Sequence, residues 1–164
     1  MRELKSYIDE YSESHQNPTN MLIHKICVPA IMFSLLGIIK ALPVPMSWPL
    51  WMDWSLVFVV AAFIYYAMFK NIRVILAVLI MVLPMLLVLE LLRPRFFVLS
   101  VVIFIVAWIG QFIGHKIEGK KPSFLKDLLF LLIGPIWTMH TLAQQMGLSL
   151  NIHSNSAKGT QKNP

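Results

Sequence analysis

Apolar residues fall in long runs, separated by short polar stretches that carry most of the charge. The first run extends from Ile26 to about Leu42 and the second from about Trp54 to Phe69. The third extends from Val74 to about Leu92 and the fourth from Phe96 to Gly114. A helix that crosses a bilayer needs roughly 17–25 residues. The fourth run meets this without a charge. The others reach it with their flanks, which places Lys40 and Glu90 near an interface. Trp48, Trp51 and Trp54 cluster between the first two runs, as interfacial aromatics do, and Pro43, Pro45 and Pro49 make that connection non-helical. Leu128 to Met139 is also apolar, but it is too short for a clean span and holds Gly134-Pro135. That length predicts a short fifth segment, re-entrant or spanning.

The polar N-terminal region has its own pattern. Leu4, Tyr7, Ile8 and Tyr11 recur at helical spacing with charges between them, which predicts a short amphipathic helix lying on the membrane surface or on the bundle. No apolar core of signal-peptide type occurs there, so no cleaved leader is expected. Asn17-Pro18 reads as an N-cap followed by a first-turn proline, from which a second helix starts and runs into the membrane. The predicted fold is therefore all-α, an integral membrane helical bundle. It has four transmembrane helices, an N-terminal amphipathic helix and the short fifth segment. One membrane-embedded domain covers residues 1–148, and a polar tail over 149–164 is expected to be disordered.

Composition supports the membrane reading. Apolar residues make up 57% of the chain and charged residues 13%, against about 45–50% and about 25% in soluble domains. Mean hydropathy is +0.69. These values exclude a soluble enzyme, a coiled coil and a disulfide scaffold. The single cysteine, Cys27, allows no intramolecular disulfide. The net charge of +6 belongs to membrane-flanking loops and assigns no nucleic-acid partner; nothing in the pattern assigns an oligomeric state. With four spans, Arg2, Lys5, Lys25, Lys70, Arg73, Lys116, Lys120, Lys121 and Lys126 share one face. Lys40, Arg93 and Arg95 occupy the other. The positive-inside rule puts the first face, with the N-terminus, in the cytoplasm. The expected location is a bacterial inner membrane, or the endoplasmic reticulum in a eukaryote.

That topology gathers chemistry. An even number of spans returns the chain to its starting face, so His15 and His24, before the first span, meet His115, just after the fourth. Neutral imidazole is the commonest metal ligand and suits iron, zinc and copper. On one continuous helix His15 and His24 would face opposite ways; the break at Asn17-Pro18 lets His15 fold back. Asn20 and His24 share a helical face, so the Asn20 amide would orient the imidazole or a bound ligand. His115 and Glu118 share a face likewise, with the carboxylate as a ligand or as a hydrogen-bond partner behind a ligand. Two histidines and a carboxylate would match the facial triad of non-haem iron oxygenases; three or four histidines would also serve, with His140 as the fourth candidate. Interfacial histidines also simply bond headgroups or backbone. Gly110 and Gly114 read as a helix-packing pair, and Glu90 as an interfacial partner of Arg93. The stretch from Gly114 to Lys121 looks like a phosphate loop, but it lacks the Ser/Thr and follows no strand. No charge lies in mid-span, which argues against a proton-coupled transporter.

Two stretches together resemble a known family. Residues 11–31 carry His15, Asn20, His24 and Pro29; residues 111–137 carry Gly114, His115, Glu118, Pro122, Gly134 and Pro135. In this order and spacing they resemble the signatures of the Mpo-like membrane dioxygenases, over nearly all of the chain to about residue 145. The resemblance implies an iron(II)-dependent dioxygenase of fatty acid α-oxidation. Such an enzyme shortens a 2-hydroxy fatty acid by one carbon with O2, in contact with membrane lipid. It implies His15, His24 and His115 as iron ligands, and matches no family position to His140. By themselves, the residues leave open another metal-dependent lipid enzyme or a non-enzymatic assembly factor or transporter subunit.

Overall fold

The computed structural model describes residues 3–49, 51–92, 95–119 and 130–152. Within them are six α-helices and no strand: α1 Leu4–Glu13, α2 Pro18–Lys40, α3 Trp54–Ala67, α4 Ile72–Leu91, α5 Phe96–Glu118 and α6 Ile133–Gln145. Local chemistry sets their ends. The Asn17 side chain accepts from the Thr19 and Asn20 amides, with Pro18 in the first turn of α2. Asp53 caps α3 and Asn71 caps α4 in the same way. An N-cap oxygen of this kind satisfies amides that the helix itself leaves orphaned. α5 stops at Gly119, whose φ of 73° is the left-handed turn that glycine adopts without strain.

α2, α4 and α5 are each long and apolar enough to cross a membrane. α3 is apolar but has 14 residues, which at 1.5 Å each reach about 21 Å against a hydrocarbon core of about 30 Å. The chain is thus an all-helical membrane protein. Residues such as Val98, Val102, Ile105 and Ile109 on α5 are exposed, a surface that only a lipid environment makes favourable.

α2 is the hub, packed against α3, α4, α5 and α6. Its seam with α5 is close because small residues line it. A Cβ on Gly110 would lie 2.7 Å from Cys27 Sγ, and one on Gly37 would lie 2.0 Å from Ser100 Oγ. These pairings descend along one helix as they ascend the other, so α2 and α5 run antiparallel. Cys27 is therefore a seam residue, half-buried against Gly110.

The amphipathic α1 lies on the bundle: Leu4, Ile8 and Tyr11 are buried, and α1 packs on α6. The fifth apolar segment holds α6. Gly134 and Pro135 fall in the first turn of α6, where a proline is tolerated, so they begin a continuous helix and do not bend one. Leu128 and Leu129 lie outside the described residues. Tyr66 donates to the Leu132 carbonyl at 2.9 Å and ties α3 to the start of α6. Of the expected polar tail, residues 149–152 lie along the start of α4. Leu150 is buried, Asn71 Nδ2 donates to its carbonyl at 2.9 Å, and Arg73 donates to the Ser149 carbonyl at 3.0 Å. The remainder of the tail lies outside the described residues, as does Arg93. Glu90 pairs with Lys40.

Candidate metal centre

The site forms where the first turns of α2 meet the last turns of α5. His15 stands on the short link between α1 and α2, His24 on α2 and His115 on α5. All three are buried, at 4%, 0% and 4% exposure. Their ring centroids lie 4.2 Å apart for His15 and His24, 4.9 Å for His24 and His115, and 5.7 Å for His15 and His115. One nitrogen from each lies within 4.8 Å of the others.

The backbone orients two of these rings. His15 Nδ1 donates to the Tyr11 carbonyl at 2.5 Å, and His24 Nδ1 donates to the Asn20 carbonyl at 3.1 Å. A carbonyl only accepts, so each Nδ1 carries a proton, and in the neutral ring Nε2 is the bare nitrogen. This is the arrangement that ligating histidines use. Packing holds His15 further: Tyr11 stacks on it at 4.2 Å with 7° between planes, and Trp137 lies 5.0 Å from it. Trp137 is in turn anchored by its indole N–H, which donates to Ser12 Oγ at 3.0 Å.

Glu118 and Asn20 stand beside this set and brace it. One Glu118 oxygen accepts from the Gln16 amide at 2.9 Å. The other accepts from the Asn17 amide and from Asn20 Nδ2, each at 2.9 Å. Asn20 Nδ2 also donates to the Ser14 carbonyl at 3.2 Å. The carboxylate thus clamps the link that carries His15 to the end of α5, and it lies outside the converging group. Asn20 orients His24 through its backbone carbonyl; its amide serves the clamp. Gly114 makes the approach possible, since a Cβ there would lie 2.3 Å from Asn20 Oδ1. His140 does not belong to the converging group among the described residues. It is half-buried on α6, two residues beyond the buried stretch from Ile133 to Thr138. His153, Lys120, Lys121 and Pro122 lie outside the described residues.

The residues fit a divalent metal ion. At a metal–nitrogen distance of about 2.1 Å, coordinating nitrogens sit roughly 3–4 Å apart, so the observed set needs slight closure. His24 Nε2 is buried and has no hydrogen-bond partner among the described residues, a cost that a bound cation would remove. Three protein ligands leave positions open for other molecules. The chain read as a sequence missed Tyr11 and Trp137 as site residues, and also Gln111, which is buried one turn before His115 and lies beside His24. The spacing of four from Gln111 to His115 was the available signal.

Comparison with known proteins identifies the family. The family model described as "2-hydroxy-palmitic acid dioxygenase Mpo1-like" matches residues 1–146. The 2-hydroxy-palmitic acid dioxygenase MPO1 of Saccharomyces cerevisiae is 28% identical over 147 residues, which cover 88% of this chain and 82% of the yeast protein. No solved structure matches.

Proposed function

The chain belongs to the Mpo1-like family, and from that premise we propose that it is an iron(II)-dependent dioxygenase that converts a 2-hydroxy fatty acid and O2 to the fatty acid one carbon shorter. The observation that carries the proposal is the buried trio of His15, His24 and His115 at one end of an apolar seam. These three would hold the iron. When bound, it would supply Lewis acidity toward a chelating hydroxyl and carboxylate and the redox chemistry that makes O2 reactive. The chain's own residues do the rest. The Tyr11 and Asn20 carbonyls fix two ring tautomers. Glu118 locks the His15 link. The buried surroundings exclude water and keep the reacting groups in one orientation.

The site also fits a lipid substrate held at a membrane boundary. We read four crossings, with α3 as the fourth. Only four residues separate the end of α4 from the start of α5, so two crossing helices there would run in opposite directions; α2 runs against α5 and hence would run along α4. The link from α2 to α4 must therefore traverse the bundle, and α3 is the helix within it. This supports a site on the N-terminal side, which the basic residues put in the cytoplasm, within one membrane-embedded domain.

Product mass spectrometry tests the proposal. The protein, loaded anaerobically with Fe(II), is given O2 and 2-hydroxypalmitate. Pentadecanoic acid that requires both metal and O2 is the expected outcome. Metal-loaded protein that makes none overturns the reaction, and protein that binds no metal overturns the site.

A further inference from the structure

Beside the histidines lies a small cavity along the α2–α5 seam. Val28, Ile31 and Met32 of α2 line it, with Trp108 and Gln111 of α5 and Tyr11 of α1; the start of α6 closes it. Helical spacing places these residues deliberately. Val28, Ile31 and Met32 follow His24 by four, seven and eight positions, and Gln111 and Trp108 precede His115 by four and seven. The cavity is therefore the direct continuation of the metal-binding faces, one to two turns deeper into the bundle. Its walls are apolar and tightly buried: Val28 is 7% exposed, Ile31 3% and Met32 3%. Gln111, 7% exposed, also lines the cavity, and its side chain is within interaction range of His24. The volume is about 30 Å³, where a single water needs at least about 10–15 Å³.

We infer that this cavity receives the carbons that follow the reacting centre, that the Gln111 amide donates to the head of the bound 2-hydroxy acid, and that the walls admit an unbranched chain and reject one branched beside the head. The inference rests on the dioxygenase reading and adds its specificity. The physical reason is width. A methyl branch next to the head meets Val28 and Ile31 in a close-packed seam that opens only by parting α2 from α5, and one added carbon in such a pocket changes selectivity by about 10–200-fold.

The test compares 2-hydroxypalmitate with its 3-methyl analogue on metal-loaded protein in detergent, by anaerobic equilibrium binding and then by kcat/KM in O2. Wild type is expected to favour the unbranched acid by at least about tenfold in both. Val28→Ala, which widens the wall, should shrink that ratio severalfold. Gln111→Leu should weaken binding of the unbranched acid by about tenfold, roughly one hydrogen bond, with metal content unchanged. Equal handling of both acids by wild type overturns the cavity assignment and leaves the reaction intact. An unchanged ratio in Val28→Ala together with unchanged binding in Gln111→Leu does the same. Wild type that binds and converts neither acid removes the dioxygenase reading and this inference with it.

Discussion

α2 ends in a polar cluster at each extremity, and the two clusters are built on opposite principles. At its C-terminal end Lys40 reaches both Asp53, the cap of α3, and Glu90 near the end of α4. Asp53 Oδ1 also accepts from the Ser55 amide and hydroxyl. Burial alone would raise the Asp53 carboxyl, but the bonds from Lys40 and Ser55 hold it below the usual carboxylate range. That cluster is closed: charge meets charge, and three helices are tied together. At the N-terminal end, about 24 Å away at 1.5 Å per residue, three buried histidines face one another, and among the described residues no carboxylate belongs to their converging group. The nearby acid, Glu118, is spent on backbone amides. Charge pairs complete the first cluster, whereas the three converging imidazoles are close enough to hold a metal ion.

Variants at the two ends should separate accordingly. The largest effect is expected from His24→Ala or His115→Ala, which should remove stoichiometric metal and product formation together, with helix content by circular dichroism unchanged. Metal retained in full by either variant would place the binding site elsewhere. Glu118→Gln keeps the shape but weakens the three donated bonds, and should lower metal affinity by about 10–100-fold in competition with a chelator. Gly114→Ala forces Asn20 from α5 and should cost about 1–3 kcal/mol of stability, with weaker metal binding alongside.

At the other end the readouts should be reversed. Lys40→Met is expected to lose about 1–2 kcal/mol in thermal unfolding, less than a fully buried pair because Glu90 is about half exposed, while metal content stays at wild type. The Asp53 contribution has a definite sign in pH. Its folded value is depressed, so its stabilisation is present above the ordinary carboxylate value of about 4 and fades as pH falls below it. Lys40→Met should flatten that acid limb of the stability curve. The smallest effect belongs to His140→Ala. It should change metal affinity by less than about twofold, the scale of a substitution that disturbs no special contact; a larger loss would bring His140 into the centre.

Much of the fold is legible in local residues. Asn17-Pro18 announces the start of α2, because a side-chain acceptor and a residue without an amide proton both suit a helix N-terminus. Leu4, Ile8 and Tyr11 announce the buried stripe of α1. The short fifth segment is harder, since Gly-Pro reads equally as a bend or as a first turn, and only the chain around it selects the latter. Glu90 shows another limit of local reading: Lys40, fifty positions away in sequence, is a partner in space, while Arg93 lies outside the described residues.

Hydrophobic run length, which depends only on the order of residues, is enough to read a helical membrane protein, and an even number of crossings was the expectation under which His15, His24 and His115 would meet, as they do. Contacts there come from the tertiary structure: Glu118 meets the Gln16 and Asn17 amides, the His24 ring meets the Asn20 carbonyl, His140 is not in the converging group among the described residues, and Tyr11, Trp137 and Gln111 come in beside the histidines. Those contacts rest on angstrom-scale approach between α1, α2, α5 and α6, and approach of that kind is set by how small side chains let helices pack, which no single helix encodes.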